Sequence, residues 1–181
     1  NISCPNLFGD ITFYPPQNLK ELLDEVTKLH IKKPIFIKMP IEKSNEDVLK
    51  MLAVISSYKI AGVIFGNLQK DRTNPALIPQ EVKPFTRGNF SGKPTFQRSN
   101  ELIALTYKNY KKHLIIIGCG GVFSGADAYT KITLGASLVQ LITGMIFQGP
   151  QLIAQIKWDL HERLKKDGLK NISEAVGIHN T

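Results

Sequence analysis

The sequence predicts an α/β domain in which a parallel sheet is covered by helices, and three observations carry that reading. Short apolar runs of strand length alternate with longer amphipathic segments along the chain. The runs are nearly continuous, as expected of strands buried on both faces. Polar residues and glycines fall just after each run. They would therefore gather on one rim, as at the C-terminal face of a barrel or the crevice of a doubly wound sheet.

Each element has its own signal. Leu19, Leu22, Leu23, Val26 and Leu29 recur at spacings of three and four, which predicts a helix over 17–30 that is over by Pro34. The run 34–39 then reads as a buried strand, with Lys38 unexpectedly near its far end. Ser44 or Asn45 can cap a second helix carrying Val48, Met51, Leu52 and Ile55, and 61–67 is a second strand ending in Asn67. Between 70 and 95 the pattern dissolves around Pro75, Pro79, Pro84, Gly88, Gly92 and Pro94. A connection of that length usually binds or covers something. Ser99 is expected to cap a helix running to Lys112, followed by a strand at 114–117 that enters Gly118-Cys-Gly-Gly121. Ser124 opens another helix, 137–142 forms the last strand, and Thr143-Gly144 follows it. Pro150 starts a long helix that Gly168 ends, and a short helix over 172–176 closes the series. With a strand ending at Asn1-Ile-Ser3 the count is five, and no repeat suggests a solenoid.

A chain of 181 residues, 43% hydrophobic and 21% charged, is enough for one core, so residues 1–181 are read as a single domain. No apolar stretch reaches the roughly 20 residues of a membrane span, and no signal peptide opens the chain. Cys4 and Cys119 cannot make a disulfide framework, which fits a reduced, cytoplasmic compartment. The net charge of +8 raises the question of nucleic acid. Lys20, Lys28, Lys50, Lys108, Lys111 and Lys165 are spread over helix faces without an aromatic array, so no nucleic-acid partner is expected. His30, His113, His161 and His179 lack ligand spacing, and no metal is expected.

Several groups could carry chemistry. Gly118-Cys-Gly-Gly121 and Thr143-Gly144 follow consecutive strands, and their backbone N–H groups could face an anion, although glycines also simply permit tight turns. Lys38 calls for an anionic or electron-rich neighbour, or else snorkels to the rim. Asn67 is an amide at a strand end, where turn residues are common. Asn1-Ile-Ser-Cys-Pro-Asn6 supplies two amides, a hydroxyl and a thiol able to move a proton. A cysteine taken singly is more often a small buried apolar residue, and Cys119 is assigned that role.

Taken together, Asn1–Asn6, Ile37-Lys38, Gly66-Asn67, Ser91-Gly-Lys-Pro94, Gly118–Gly125 and Leu138–Thr143 resemble dihydroorotate dehydrogenases over essentially the whole chain. The resemblance implies a (β/α)8 TIM barrel that binds FMN and oxidises dihydroorotate to orotate in pyrimidine (UMP) synthesis. It implies Cys4 as the base and Lys38 beside the flavin ring. Asn1, Asn6 and Asn67 would hold the substrate. Asn1, Lys38, Gly66, Gly92, Gly120, Gly121, Ile142 and Thr143 would contact FMN, with Gly121, Ile142 and Thr143 near its phosphate.

Three departures accompany the resemblance. A cysteine base is typical of class 1 members, whereas the Ser-Gly-Lys-Pro segment and the region 118–177 look like class 2. The implied electron acceptor is therefore a quinone, with fumarate or NAD as alternatives. Leu68 stands where the family usually has a hydroxyl that touches substrate. Finally, the chain opens at a motif the family places near strand four, so about five-eighths of a barrel, strands 4 to 8, is expected. The missing N-terminal strands would come from a longer chain or a completing partner, and a homo-oligomer is left open. A quinone-linked enzyme would sit peripherally on the inner face of a membrane. The alternatives are another flavin oxidoreductase on a related substrate, or a truncated, non-catalytic barrel fragment.

Overall fold

The apolar runs pair side by side in a four-stranded, wholly parallel sheet of order β1-β2-β3-β4. This is seen in a computed structural model that describes residues 1–3 and 12–180. Helix α1 (Pro16–Lys28) precedes β1 (Phe36–Lys38), and α2 (Asn45–Ser56) leads to β2 (Gly62–Phe65). The long connection after β2 holds the short α3 (Pro79–Val82) and a 3-10 turn at Lys93–Thr95, which runs directly into α4 (Phe96–Tyr110). Then come β3 (Ile115–Cys119), α5 (Gly125–Thr133), β4 (Leu138–Gln140), α6 (Thr143–Gln148), α7 (Gln151–Lys166) and α8 (Ile172–Ala175).

The order of the strands separates the two architectures that the sequence left open. A doubly wound sheet reverses its strand order, whereas each strand here joins on the same side as the one before. Right-handed crossovers then place the helices on one face, as in a barrel wall. Ile37, Val63, Phe65 and Ile116 point to that face. They form one core with Leu19, Leu23, Val48, Leu52, Leu102 and Ile103 from α1, α2 and α4.

The opposite face is left partly bare, although Ile117 on it is buried. The register aligns Lys38, Ile64, Ile117 and Leu138 in one layer. Leu138 keeps 57% of its surface exposed, and Ile115, one layer below, keeps 45%. Parallel sheets are ordinarily covered on both faces. The bare face therefore reads as the inner lining of a partial barrel. Among the described residues, no helix is long and apolar enough to cross a membrane.

Two sequence expectations are corrected. Residues 1–3 form no strand: Ile2 is buried, but the Ser3 carbonyl accepts a side-chain amide proton from Asn67 instead of joining the ladder. Ser99 is not a helix cap. Pro94 lies in the 3-10 turn and starts the helical path early, so Ser99 falls inside α4 and is fully buried. Ser44 and Ser124 do cap α2 and α5, accepting from the Asp47 and Asp127 amides at 3.1 Å each. Asp127 returns the contact by accepting the Phe123 N–H at 2.9 Å, which fixes the chain between the glycine loop and α5.

Candidate active site

The strand ends converge on one cleft. Lys38 closes β1, Gly66 and Asn67 follow β2, Gly120 and Gly121 follow β3, and Ile142 and Thr143 follow β4. Gly92 joins them from the long connection, so eight of the residues singled out in the sequence share one lining. The cleft encloses about 70 Å³, well below the ~300 Å³ at which small-molecule pockets begin. The described residues thus form one wall of a site.

The connections between the loops explain their alignment. Gly66 N–H donates to the Cys119 carbonyl at 2.9 Å, and Asn67 N–H donates to that of Met39 at 3.2 Å. Three strand ends are tied by these two bonds. The Thr95 hydroxyl donates to the Gly92 carbonyl at 2.7 Å, and the Thr143 hydroxyl donates to Ser91 Oγ at 3.0 Å. The long connection is thereby fastened to the start of α6.

Glycine is required at the loop after β3. Gly120 and Gly121 have φ of 109° and 71°, where side chains are strained. A Cβ at Gly120 would meet Thr95 Oγ1 at 2.4 Å, and one at Gly121 would meet Phe96 Cβ at 2.5 Å. The backbone therefore packs against the start of α4 while its other side lines the cleft.

Lys38 lies on the inner face, half-buried, and no described carboxylate pairs with it. The residue belongs to the cleft lining. Asn67 is held by its bond to the Ser3 carbonyl, which brings the opening motif to the rim. Asn1 is not part of the lining; its side-chain oxygen accepts from the Ser3 N–H and hydroxyl. Cys4 and Asn6 lie outside the described residues.

Cys119, expected to be buried, is half-buried and lines the cleft, because the alternation along β3 turns it inward. Ser91 and Leu141, which fall within two of the sequence motifs, also line the cleft, and so does Thr95, which was not singled out from sequence. Thr95 lies three residues after Gly92 in a segment rich in turn residues, a signal too general to identify it. Among the described residues, no group of three metal-ligating side chains converges.

The dihydroorotate dehydrogenase family profile matches residues 1–164. The chain belongs to the dihydroorotate dehydrogenase family. A quinone-type dihydroorotate dehydrogenase of Trichodesmium erythraeum is 37% identical over 185 residues, with 99% of this chain and 49% of that protein covered. The mitochondrial quinone-type enzyme of Arabidopsis thaliana is 35% identical over 98% of this chain and 40% of its own length. Among solved structures, ligand-free dihydroorotate dehydrogenase of Eimeria tenella superposes with a TM-score of 0.87 at 26% identity, covering 99% of this chain and 54% of that one. The same enzyme in complex with ferulenol gives 0.85, again at 26% identity, covering 99% of this chain and 52% of that one. The chain thus spans about half the length of the curated relatives it matches. The dihydroorotate dehydrogenase barrel explains the bare sheet face: it is the lining of a barrel of which these strands are one part.

Proposed function

We propose that this chain is the part of an FMN-dependent dihydroorotate dehydrogenase that carries the base and the glycine loops. The remaining barrel strands would come from further sequence of the same chain or from a completing chain. The observation that carries the reading is the convergence of Lys38, Gly66, Asn67, Gly92, Gly120, Gly121, Ile142 and Thr143 on one cleft of a parallel barrel wall.

The residues fit the flavin. Lys38 brings to the inner face a positive charge that no described carboxylate pairs with. The glycine loops bring bare backbone to the cleft because their other side packs too closely on the protein to admit a side chain; a Cβ at Gly92 would stand 2.9 Å from Thr143 Cγ2. When bound, FMN supplies the hydride acceptor. Cys4 takes the proton from substrate C5 while hydride leaves C6, so the C5–C6 bond becomes the double bond of orotate. The Cys4 thiolate is the form that accepts this proton. Lys38 would help hold the flavin and would favour negative charge on it. Asn1, Asn6 and Asn67 orient the substrate through its ring amides and carboxylate.

A quinone is the proposed electron acceptor. Support comes from the quinone-type relatives and from an apolar surface beside the cleft, where Ile146 and Phe147 are 71% and 79% exposed. That surface suits an apolar acceptor at a membrane. A second reading, a flavin enzyme acting on a related substrate, is favoured by Leu68, which lines the cleft without a hydroxyl. Orotate binding separates the two. The longest open reading frame containing these residues is expected to carry FMN and to show a flavin spectral shift on adding orotate. Bound flavin that does not respond to orotate would favour the second reading.

A further inference from the structure

Lys131 on α5 is wholly buried, and the mechanism above does not use it. Its stem runs beneath β3, where a Cβ on Gly118 would stand 2.9 Å from Lys131 Cδ. The ammonium donates to Ser99 Oγ at 3.0 Å and to Asn100 Oδ1 at 2.8 Å, and sits 4.9 Å from the centre of the Phe96 ring. No described carboxylate forms an ion pair with it. A buried ammonium held by neutral partners is costly, and methionine would fill similar space without that cost.

The contacts beyond Lys131 point toward the cleft. Ser99 Oγ accepts from the ammonium, which leaves its single proton for the Cys119 carbonyl at 2.8 Å or the Phe65 carbonyl at 3.0 Å. These carbonyls end β3 and β2, and Cys119 O also accepts the Gly66 N–H. Gly66-Asn67 and Gly120-Gly121 come next in the chain, and both pairs line the cleft. The path from charge to loop is two hydrogen bonds long.

We propose that Lys131 is a positioning residue which, through Ser99, holds the ends of β2 and β3 together and sets a positive charge behind the glycine loop, preorganising that loop for the anionic end of FMN. The flavin part of this statement rests on the function proposed above. Burial pushes the Lys131 ammonium down to about 8, opposed by the charges of Cys119 on β3 and Asp127 on its own helix. From α4 it is faced by the neutral Ser99, Asn100 and Phe96. Because the folded protein holds this proton less tightly than the unfolded chain, the burial cost is present in full below about pH 8. It is relieved as pH rises toward the ordinary lysine value near 10.5.

The test uses Lys131→Met, Ser99→Ala and the double variant in the longest open reading frame containing this chain. FMN affinity is read by flavin fluorescence, and exchange of the Gly66 amide by NMR. Each single variant is expected to weaken FMN binding and to speed Gly66 exchange by about tenfold, and the double variant by no more than the larger single. In the parent, FMN affinity should fall as pH rises from about 7 to 9 and the ammonium is lost, while Lys131→Met stays flat at the weakened level. The thiols of Cys4 and Cys119 are present in both proteins, so the difference between the profiles isolates the lysine. Unchanged FMN affinity in either variant, additive losses in the double variant, or parallel pH profiles would overturn the proposal. If the parent takes up no FMN, the functional reading falls, and unchanged Gly66 exchange would then refute the role of Lys131 on its own.

Discussion

Cys4→Ala is expected to slow flavin reduction by dihydroorotate by about 10²–10⁴-fold while FMN stays bound, because a general base is lost and no flavin contact is. Stopped-flow absorbance under anaerobic conditions reads the rate, and the flavin spectrum reads occupancy. Cys4→Ser should recover part of the rate, mainly at higher pH. A thiol is a much stronger acid than a hydroxyl, which needs far more help to lose its proton. Undiminished reduction by Cys4→Ala would remove the cysteine from the base role. Loss of FMN along with activity would mean that the opening motif holds the cofactor rather than the proton.

Gly121→Val is expected to abolish stable FMN binding. At φ 71° a β-branched residue is strained by roughly 1–3 kcal/mol, and its Cβ would stand 2.5 Å from Phe96 Cβ. The loop must move away from α4 to admit it, and the movement disturbs the cleft wall. Flavin content after gel filtration and the melting temperature check this. Full flavin content at an unchanged melting temperature would show that the loop geometry described here is not what the cofactor needs.

Much of the fold was legible because the chain signals its parallel strands by apolar continuity and its helices by capping residues. Ser44 and Ser124 cap where local chemistry says they should. Ser99 misled because the same hydroxyl that suits a cap also suits a buried anchor, and only the path set by Pro94 distinguishes the two. The expected first strand was one that ends at Asn1-Ile-Ser3, just ahead of a polar motif. The structure instead gives the Ser3 carbonyl to Asn67, a tertiary choice that local pattern does not carry.

The candidate site was legible in its glycines and in Lys38, because a charge or a flexible turn at the end of a buried strand is locally anomalous. Lys131 carried a weaker signal of the same kind. It sits three residues after Ala128 and beside Ile132, on a stripe that is otherwise buried. A lysine there reads as a helix-face residue until Ser99 and Asn100 are seen beneath it. The barrel itself could not be separated from a doubly wound sheet by strand pattern alone, since both need the same apolar strands; strand order decides it.

Anaerobic mixing of dihydroorotate with the flavoprotein expressed from the longest open reading frame containing this chain, followed by quinone, fumarate or NAD, tests the proposed reaction itself. Dihydroorotate is expected to bleach the flavin, and a quinone to restore its colour. Bound flavin left unbleached by dihydroorotate, or a purified protein that holds no flavin, would contradict that reaction.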